Sequence, residues 1–213
     1  MKTTIYFIRH GESEGNYHKT FLGHTDLDLT PTGYVQAERT AAYLEGQPID
    51  VIYSSDLMRA YHTAVPTARA KGMEIIKSRA LREIFAGKWE GRLFEEIKSE
   101  FEADYAVWLN DIGNARCTEG ETVAMLRDRI LAEVERIVKE NEGRSIAIFT
   151  HATPIRILKT VWDDKPLSMM AQTPWVSNAS VTRAEYENGV FRVLDYGLDF
   201  FQGDCVTRFS KNV

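Results

Sequence analysis

Cysteine is scarce: Cys117 and Cys205 are the two in 213 residues. Two thiols cannot form a disulfide framework and show no metal-ligand spacing, so both read as ordinary thiols of a reducing compartment. Long apolar runs are missing as well. The opening stretch Thr4-Ile5-Tyr6-Phe7-Ile8 meets Arg9-His10, too soon for the roughly 7–15-residue apolar region of a secretion signal. No window approaches the ~18 apolar residues of a membrane span, and the expected location is the cytoplasm. A basic excess is absent too. Lys and Arg total 26 against 31 Asp and Glu, a net charge of −5, which speaks against a nucleic-acid partner. A few local arginines can still dominate one pocket, so phosphate chemistry on a small molecule stays open.

What is present describes a globular chain. With 44% hydrophobic residues, a chain of this size buries about 70% of the surface its unfolded form exposes. No repeat, low-complexity segment or linker divides it, and residues 1–213 read as one domain. Short β-like runs alternate with helical patterns. The run 4–8 reads as a strand buried on both faces, and Thr30-Pro31 as the cap and first position of a helix to about Leu44. Val51-Ile52-Tyr53 is a second strand, and Ser54-Ser55-Asp56 can cap a helix to Ala70 that Pro66 should kink or break. Met73 to Ile76 is a third strand. Residues 83–117 lose the alternation and read as an irregular lid insertion. Thr118-Glu119-Gly120-Glu121 has the capping-box pattern ahead of a helix whose Val123, Leu126, Ile130, Val134 and Ile137 recur at helical spacing. Ser145 to Phe149 is a fourth strand, and Pro154 to Trp162 a further helix. Asn188-Gly189 between two alternating runs predicts a hairpin. The expected fold is α/β and three-layered: a mostly parallel sheet flanked by helices, with an antiparallel C-terminal edge.

Open α/β sheets bind ligands outside the carboxyl ends of their strands. Reading those ends in order, strand one leads into Arg9-His10-Gly11-Glu12. Strand two leads into Ser54-Ser55-Asp56 with Arg59 in the next helical turn, and strand four into Thr150-His151. Each residue alone has an ordinary explanation, as a loop histidine or a solvated helix arginine. Four cationic or imidazole groups at one sheet edge do not. Guanidinium groups match phosphate geometry, and a neutral imidazole can carry a phosphoryl group covalently. Loose, in-line transfer needs positioning and charge neutralisation, which these groups could supply without a metal or other cofactor. Glu83 is placed to protonate the leaving alkoxide if Ile84, Phe85 and Trp89 give it an apolar setting. Glu12, Glu90 and Glu95 lie in similar territory.

Arg9-His10-Gly11-Glu12-Ser13 closely resembles the opening motif of the histidine phosphatase superfamily, the phosphoglycerate mutase-like family. The match continues through Asn16, Gly23, Asp26, Leu29-Thr30 and Gly33, then Ser54-Ser55 with Arg59-Ala60 and Thr63-Ala64. Leu81-Arg82-Glu83-Ile84, Gly87, Trp89-Glu90-Gly91, Gly120-Glu121-Thr122 and Thr150-His151 complete it in order. The resemblance implies a phosphohistidine on His10, with Glu83 as general acid and then base. It implies that Arg9, Arg59 and His151 bind the phosphoryl group, joined by Asn16, Gly23 and Ala152. Two departures stand out. Ala152 occupies a position that is often glycine, which narrows the space beside the phosphate. The segment from Glu83 to Thr118 is short, with only Lys88, Arg92, Lys98 and Arg116 as cations. The Glu83-to-Gly91 pattern resembles the family's small broad-specificity phosphatases more than its glycolytic mutases.

The expected activity is therefore metal-independent hydrolysis of small phosphorylated metabolites, with no nucleic-acid or membrane partner. The alternatives are a phosphoglycerate mutase and a non-catalytic phospholigand-binding protein. A metalloenzyme built on His10, His24 and His151, with His18 and His62 available, lacks zinc-type spacing. The C-terminal hairpin and tail could form a homodimer contact.

Overall fold

A computed structural model describes residues 1–207. Strand β1 (Thr3–Arg9) is buried along nearly its whole length. Its residues divide by parity. Ile5 and Phe7 enter one apolar cluster, Tyr6 and Ile8 the other, as the two-residue period of a strand separates the faces of one sheet. A short helix α1 (Glu14–His18) and strand β2 (Thr20–Phe21) follow. Helix α2 (Pro31–Glu45) starts as its sequence requires: Thr30 Oγ1 accepts from the Gly33 N–H at 3.0 Å, and Pro31 takes the first helical position, where no N–H is needed. Next come β3 (Val51–Ser55), α3 (Met58–Lys71) and β4 (Ile75–Ser78). Residues 83–117 hold β5 (Arg92–Leu93), α4 (Phe94–Glu100) and α5 (Glu102–Asn110). The chain closes with α6 (Val123–Glu140), β6 (Ser145–Thr150), α7 (Ala152–Trp162), β7 (Val181–Glu187) and β8 (Val190–Leu198).

The main sheet runs in the order β4-β3-β6-β1-β7-β8. The first four strands are parallel, and β7 and β8 form the antiparallel edge. Leu44 of α2 with Ala64 and Ala68 of α3 pack on one face; α6 and α7 cover the other. On α6 the five apolar residues read from the sequence are all fully buried, and each such side chain contributes about 1.5–3 kcal/mol. In register, Arg9 stands opposite Thr150, and Ser54 opposite Phe149. The carboxyl ends of β1, β3 and β6 therefore share one edge. At the hairpin, Asn188 and Gly189 both adopt positive φ, 52° and 82°, the geometry a tight primed turn needs.

Several expectations need correction. The third strand is displaced to Ile75–Ser78. Ser54, Ser55 and Asp56 do not cap α3, whose first residue Met58 donates its N–H to Asp26 Oδ1 at 2.7 Å. A distant loop does what the local triplet was expected to do. The α3 helix continues through Pro66 to Lys71; burial of Ala60, Thr63, Ala64 and Ala68 outweighs the ~3 kcal/mol that an interior proline costs. Thr122, not Thr118, caps α6, accepting from the Met125 N–H at 3.0 Å.

Residues 83–117 are more ordered than their sequence implies. Helices of seven and nine residues are too short to display a helical period. Their Ile97, Tyr105 and Trp108, with Trp89, belong to the same apolar cluster as the α6 face, and β5 pairs with β2. Cys117 and Cys205 are both free. Among the described residues no helix is long and apolar enough to cross a membrane. Part of the C-terminal tail suggested as a homodimer contact, beyond Thr207, lies outside the described residues.

Candidate active site

Three parallel strands deliver their last residues to one place. β1 runs directly into His10, β3 ends in Ser55, and His151 follows β6. The His10 N–H donates to the Thr150 carbonyl at 3.0 Å, and its carbonyl accepts from the Ala179 N–H and from Asn178 Nδ2, both at 3.1 Å. Gly11 then passes close to α2. A Cβ there would stand 2.7 Å from the Gly33 carbonyl oxygen, a backbone atom with little room to give way. The Gly11 N–H donates to Thr63 Oγ1 of α3 at 2.9 Å.

His10 is buried, and its own chain orients the ring: Nδ1 lies 2.7 Å from the Gly11 carbonyl. A carbonyl can only accept, so Nδ1 carries the proton and Nε2 keeps a lone pair. Burial first, then the charges of Arg59 and Arg9, hold this imidazole well below its usual range. At neutral pH it is an uncharged ring with one available nitrogen, as nucleophilic attack requires.

Arg59 leaves the first turn of α3 and is only 1% exposed. Its Nη1 donates to the Thr25 carbonyl and its Nη2 to the Gly23 carbonyl, each at 2.8 Å; Nε is buried with no protein acceptor. Arg9 donates from Nη1 to the Val176 carbonyl at 2.5 Å. Burial lowers both guanidiniums to about 10, with Glu83 opposing the shift. Both stay cationic at neutral pH, and their positive potential suits the oxygens of a phosphate.

His151 is fully buried, with its ring centroid 5.2 Å from that of His10 in an edge-on contact. Its Nε2 lies 2.9 Å from Ser55 Oγ, and Nδ1 is buried without a protein partner. Burial, then Arg59 and His10, keep it well below the usual histidine range. Glu83 faces the same cavity. Its Oε1 accepts from the Ile84 N–H at 2.8 Å and its Oε2 from the Thr153 N–H at 3.2 Å. The expected apolar surround does not form. Ile84 and Trp89 join the core and Phe85 is exposed, so backbone N–H groups orient the carboxyl instead.

The other carboxylates have different surroundings. Glu90 accepts from the backbone of His24, Thr25 and Ala86 and from Thr25 Oγ1, at 2.6–2.9 Å. Glu12 also lines the cavity, with its Oε1 accepting from Thr30 Oγ1 at 2.7 Å, while Glu95 lies on the exposed side of the cavity wall. Asn16 Oδ1 accepts from Asn178 Nδ2 at 3.0 Å and from the Ser13 N–H at 3.2 Å, so its Nδ2 is the remaining donor of that side chain. Gly23 has φ +51°, and a Cβ there would meet Glu90 Oε1 at 2.4 Å. Its contribution to the site is the carbonyl that holds Arg59. Ala152 opens α7, so its N–H belongs to the helix turn whose donors lack internal partners.

Arg9, His10, Asn16, Gly23, Arg59, Glu83 and Ala152 line one cavity of about 750 Å³, and His151 adjoins it through His10. Its lining also includes Phe21, Leu22, Phe94, Tyr105, Trp108 and Trp175. Among the described residues no three His, Cys, Asp or Glu side chains cluster as metal ligands. Two strand-end histidines and two buried arginines share one sheet edge, and residues 5–199 match the profile of the histidine phosphatase superfamily (branch 1). The chain belongs to the histidine phosphatase superfamily. It is 33% identical over 154 residues to phosphoserine phosphatase 1 of Hydrogenobacter thermophilus, covering 72% of this chain and 73% of that one. It is 30% identical over 173 residues to the adenosylcobalamin/alpha-ribazole phosphatase of Escherichia coli, covering 80% and 82%. The structure of Bacillus stearothermophilus YhfR superposes with a TM-score of 0.89 at 30% identity, covering 93% of this chain and 99% of that one.

Three residues of this histidine phosphatase site were not read as site residues from the sequence. Ser55 holds His151, Thr63 holds Gly11, and Asn178 bridges the His10 carbonyl to Asn16. Asn178 has no local signature; it lies in a connecting segment 168 residues from His10. Ser55 and Thr63 sit within matched motifs, and only their partners were hidden.

Proposed function

We propose that the protein is a metal-independent phosphomonoesterase that hydrolyses small phosphorylated metabolites through a phosphohistidine on His10. The observation that carries this reading is the neutral His10 ring with Nε2 unblocked, beside two buried cations. Arg9, Arg59, His151 and the Asn16 amide hold the phosphoryl oxygens, with the Ala152 N–H as a further donor. His10 Nε2 attacks phosphorus in line, the P–N bond forms and the ester P–O bond breaks. Glu83 gives its proton to the departing alkoxide. Water then attacks phosphorus, Glu83 takes a proton from it, and the P–N bond breaks to release inorganic phosphate and neutral His10. General acid catalysis of this kind supplies about 10²–10⁴-fold. The two similar phosphatases, for phosphoserine and alpha-ribazole phosphate by their names, support a small monoester as substrate.

The insertion favours hydrolysis over mutase action. Among the described residues, none of its four cations lines the cavity; Lys88 pairs with Glu119 and Arg92 with Glu100, each at 2.5 Å. A phosphoglycerate carboxylate would find no insertion cation there. The reading is tested by phosphate release over a metabolite panel, with His10→Ala as the blank and EDTA in a parallel arm. Hydrolysis by the native protein that survives EDTA and disappears in the variant is expected. Equal hydrolysis by both proteins would overturn the assignment. Rapid 2-phosphoglycerate formation from 3-phosphoglycerate and a bisphosphate primer, with little free phosphate, would establish the mutase instead.

A further inference from the structure

Glu83 stands outside any helix or strand, yet a general acid must be held to within a fraction of an ångström. The segment that carries it is clamped from α6. Arg129 Nη1 donates to the carbonyls of Ala80 at 3.0 Å and Arg82 at 2.9 Å, while Nη2 donates to the Glu83 carbonyl at 3.0 Å. One guanidinium thus gathers three carbonyls from four consecutive residues. Its orientation is set in turn by Glu121, whose Oε1 accepts from Nε at 3.0 Å and Oε2 from Nη2 at 2.7 Å. Glu121 Oε2 also accepts from the Phe85 N–H at 2.8 Å, so the pair grips the chain on both sides of Glu83. His24 completes the clamp, with Nε2 2.9 Å from the Glu83 carbonyl. Burial acts against the Glu121 charge, yet hydrogen bonds from Arg129 and the Phe85 N–H hold its carboxyl below the usual range. Glu121 is therefore an ionised acceptor at neutral pH, and charged groups form the stronger hydrogen bonds.

We infer that Arg129 and Glu121 are positioning residues for Glu83: they touch neither phosphate nor leaving group, and they set the direction from which the proton is delivered. This rests on the reading of Glu83 as the general acid, and leaving-group chemistry tests the two separately. A p-nitrophenolate leaves without a proton, whereas an alkoxide needs one. A misplaced acid therefore penalises alkyl phosphates selectively, while general damage to the fold or to the phosphate site penalises both. The measure is kcat/KM, which ends at the first irreversible step, formation of phosphohistidine, and so excludes the later role of Glu83 as base.

Arg129→Lys keeps the charge but cannot span three carbonyls and a bidentate carboxylate. Its kcat/KM on glycerol phosphate is expected to fall about 10²-fold, the scale of a ~1 Å misplacement, and severalfold at most on p-nitrophenyl phosphate. Glu121→Gln should show the same selectivity, and it carries the test if the lysine variant fails to fold. Glu83→Gln is the reference. If Glu83→Gln is selective but Arg129→Lys and Glu121→Gln lower both substrates equally, or neither, the positioning role is wrong and the acid stands. If Glu83→Gln itself shows no selectivity, the assignment of the acid is wrong.

Discussion

Acidification offers a quantitative test of the two buried histidines. In the unfolded chain His10 and His151 would titrate near pH 6.5. In the folded protein burial, together with Arg59 and their other neighbours, holds both well below that. Below pH 6.5 the unfolded state therefore binds more protons than the folded state. The stability at stake is fully present above that pH and is lost as the pH falls. Each histidine that stays neutral in the fold costs up to about 1.4 kcal/mol per pH unit, so the pair costs up to about 2.7 kcal/mol by pH 5.5. His24, lowered mainly by burial, adds to the same slope. Depressed carboxylates such as Asp56, paired with Arg82, lose their contribution only at lower pH, outside this window. The assay is urea unfolding at pH 7.5, 6.5 and 5.5, comparing the native protein with a His10→Gln/His151→Gln double variant. The double variant should lose up to about 2.7 kcal/mol less between pH 7.5 and 5.5. Identical losses in the two proteins would show that these rings are not held neutral by the fold.

Other expectations follow from single contacts. Arg59→Ala should lower kcat/KM on any phosphate monoester about 10²–10³-fold, the scale for removing one preorganised donor; a change below threefold in steady-state assays would exclude it from the phosphate site. Asp26→Ala removes the acceptor of the Met58 N–H at the start of α3 and should cost about 0.5–2 kcal/mol in urea unfolding, with an unaltered transition speaking against the cap. Gly11→Ala forces a methyl group against the Gly33 carbonyl and should cost about 1–3 kcal/mol along with most activity, since His10 moves with it. A fully active, equally stable variant would show that the close approach relaxes without cost.

Much of the site was readable because its residues are coded next to regular elements. His10 and His151 follow apolar strands, and Arg59 follows another by one helical turn, so parallel topology alone gathers them. Arg9, at the end of a buried strand, belongs to the same set. The choice among carboxylates was not readable in that way. Glu83 and Glu90 lie seven positions apart, in similar surroundings as sequence. Only the packing of residues 23–25 against 86–90 engages Glu90 with backbone donors and leaves Glu83 facing the cavity.

Local patterns also misassigned work that distant residues perform. Ser54-Ser55-Asp56 and Thr118-Glu119-Gly120-Glu121 both have capping composition, yet Asp26 satisfies α3, and Glu121 is drawn to Arg129 and the Phe85 N–H. What the sequence by itself determined is the alternation of strands and helices, the hairpin, and the cationic and imidazole groups at the strand ends, because hydrophobic periodicity and turn chemistry are local. What only the tertiary structure decided is the tautomer of His10, the bridge through Asn178, and the hydrogen bonds by which Arg129 and Glu121 hold the chain on both sides of Glu83. Each depends on hydrogen bonds whose partners are set by three-dimensional packing, and a linear pattern carries no record of such pairings.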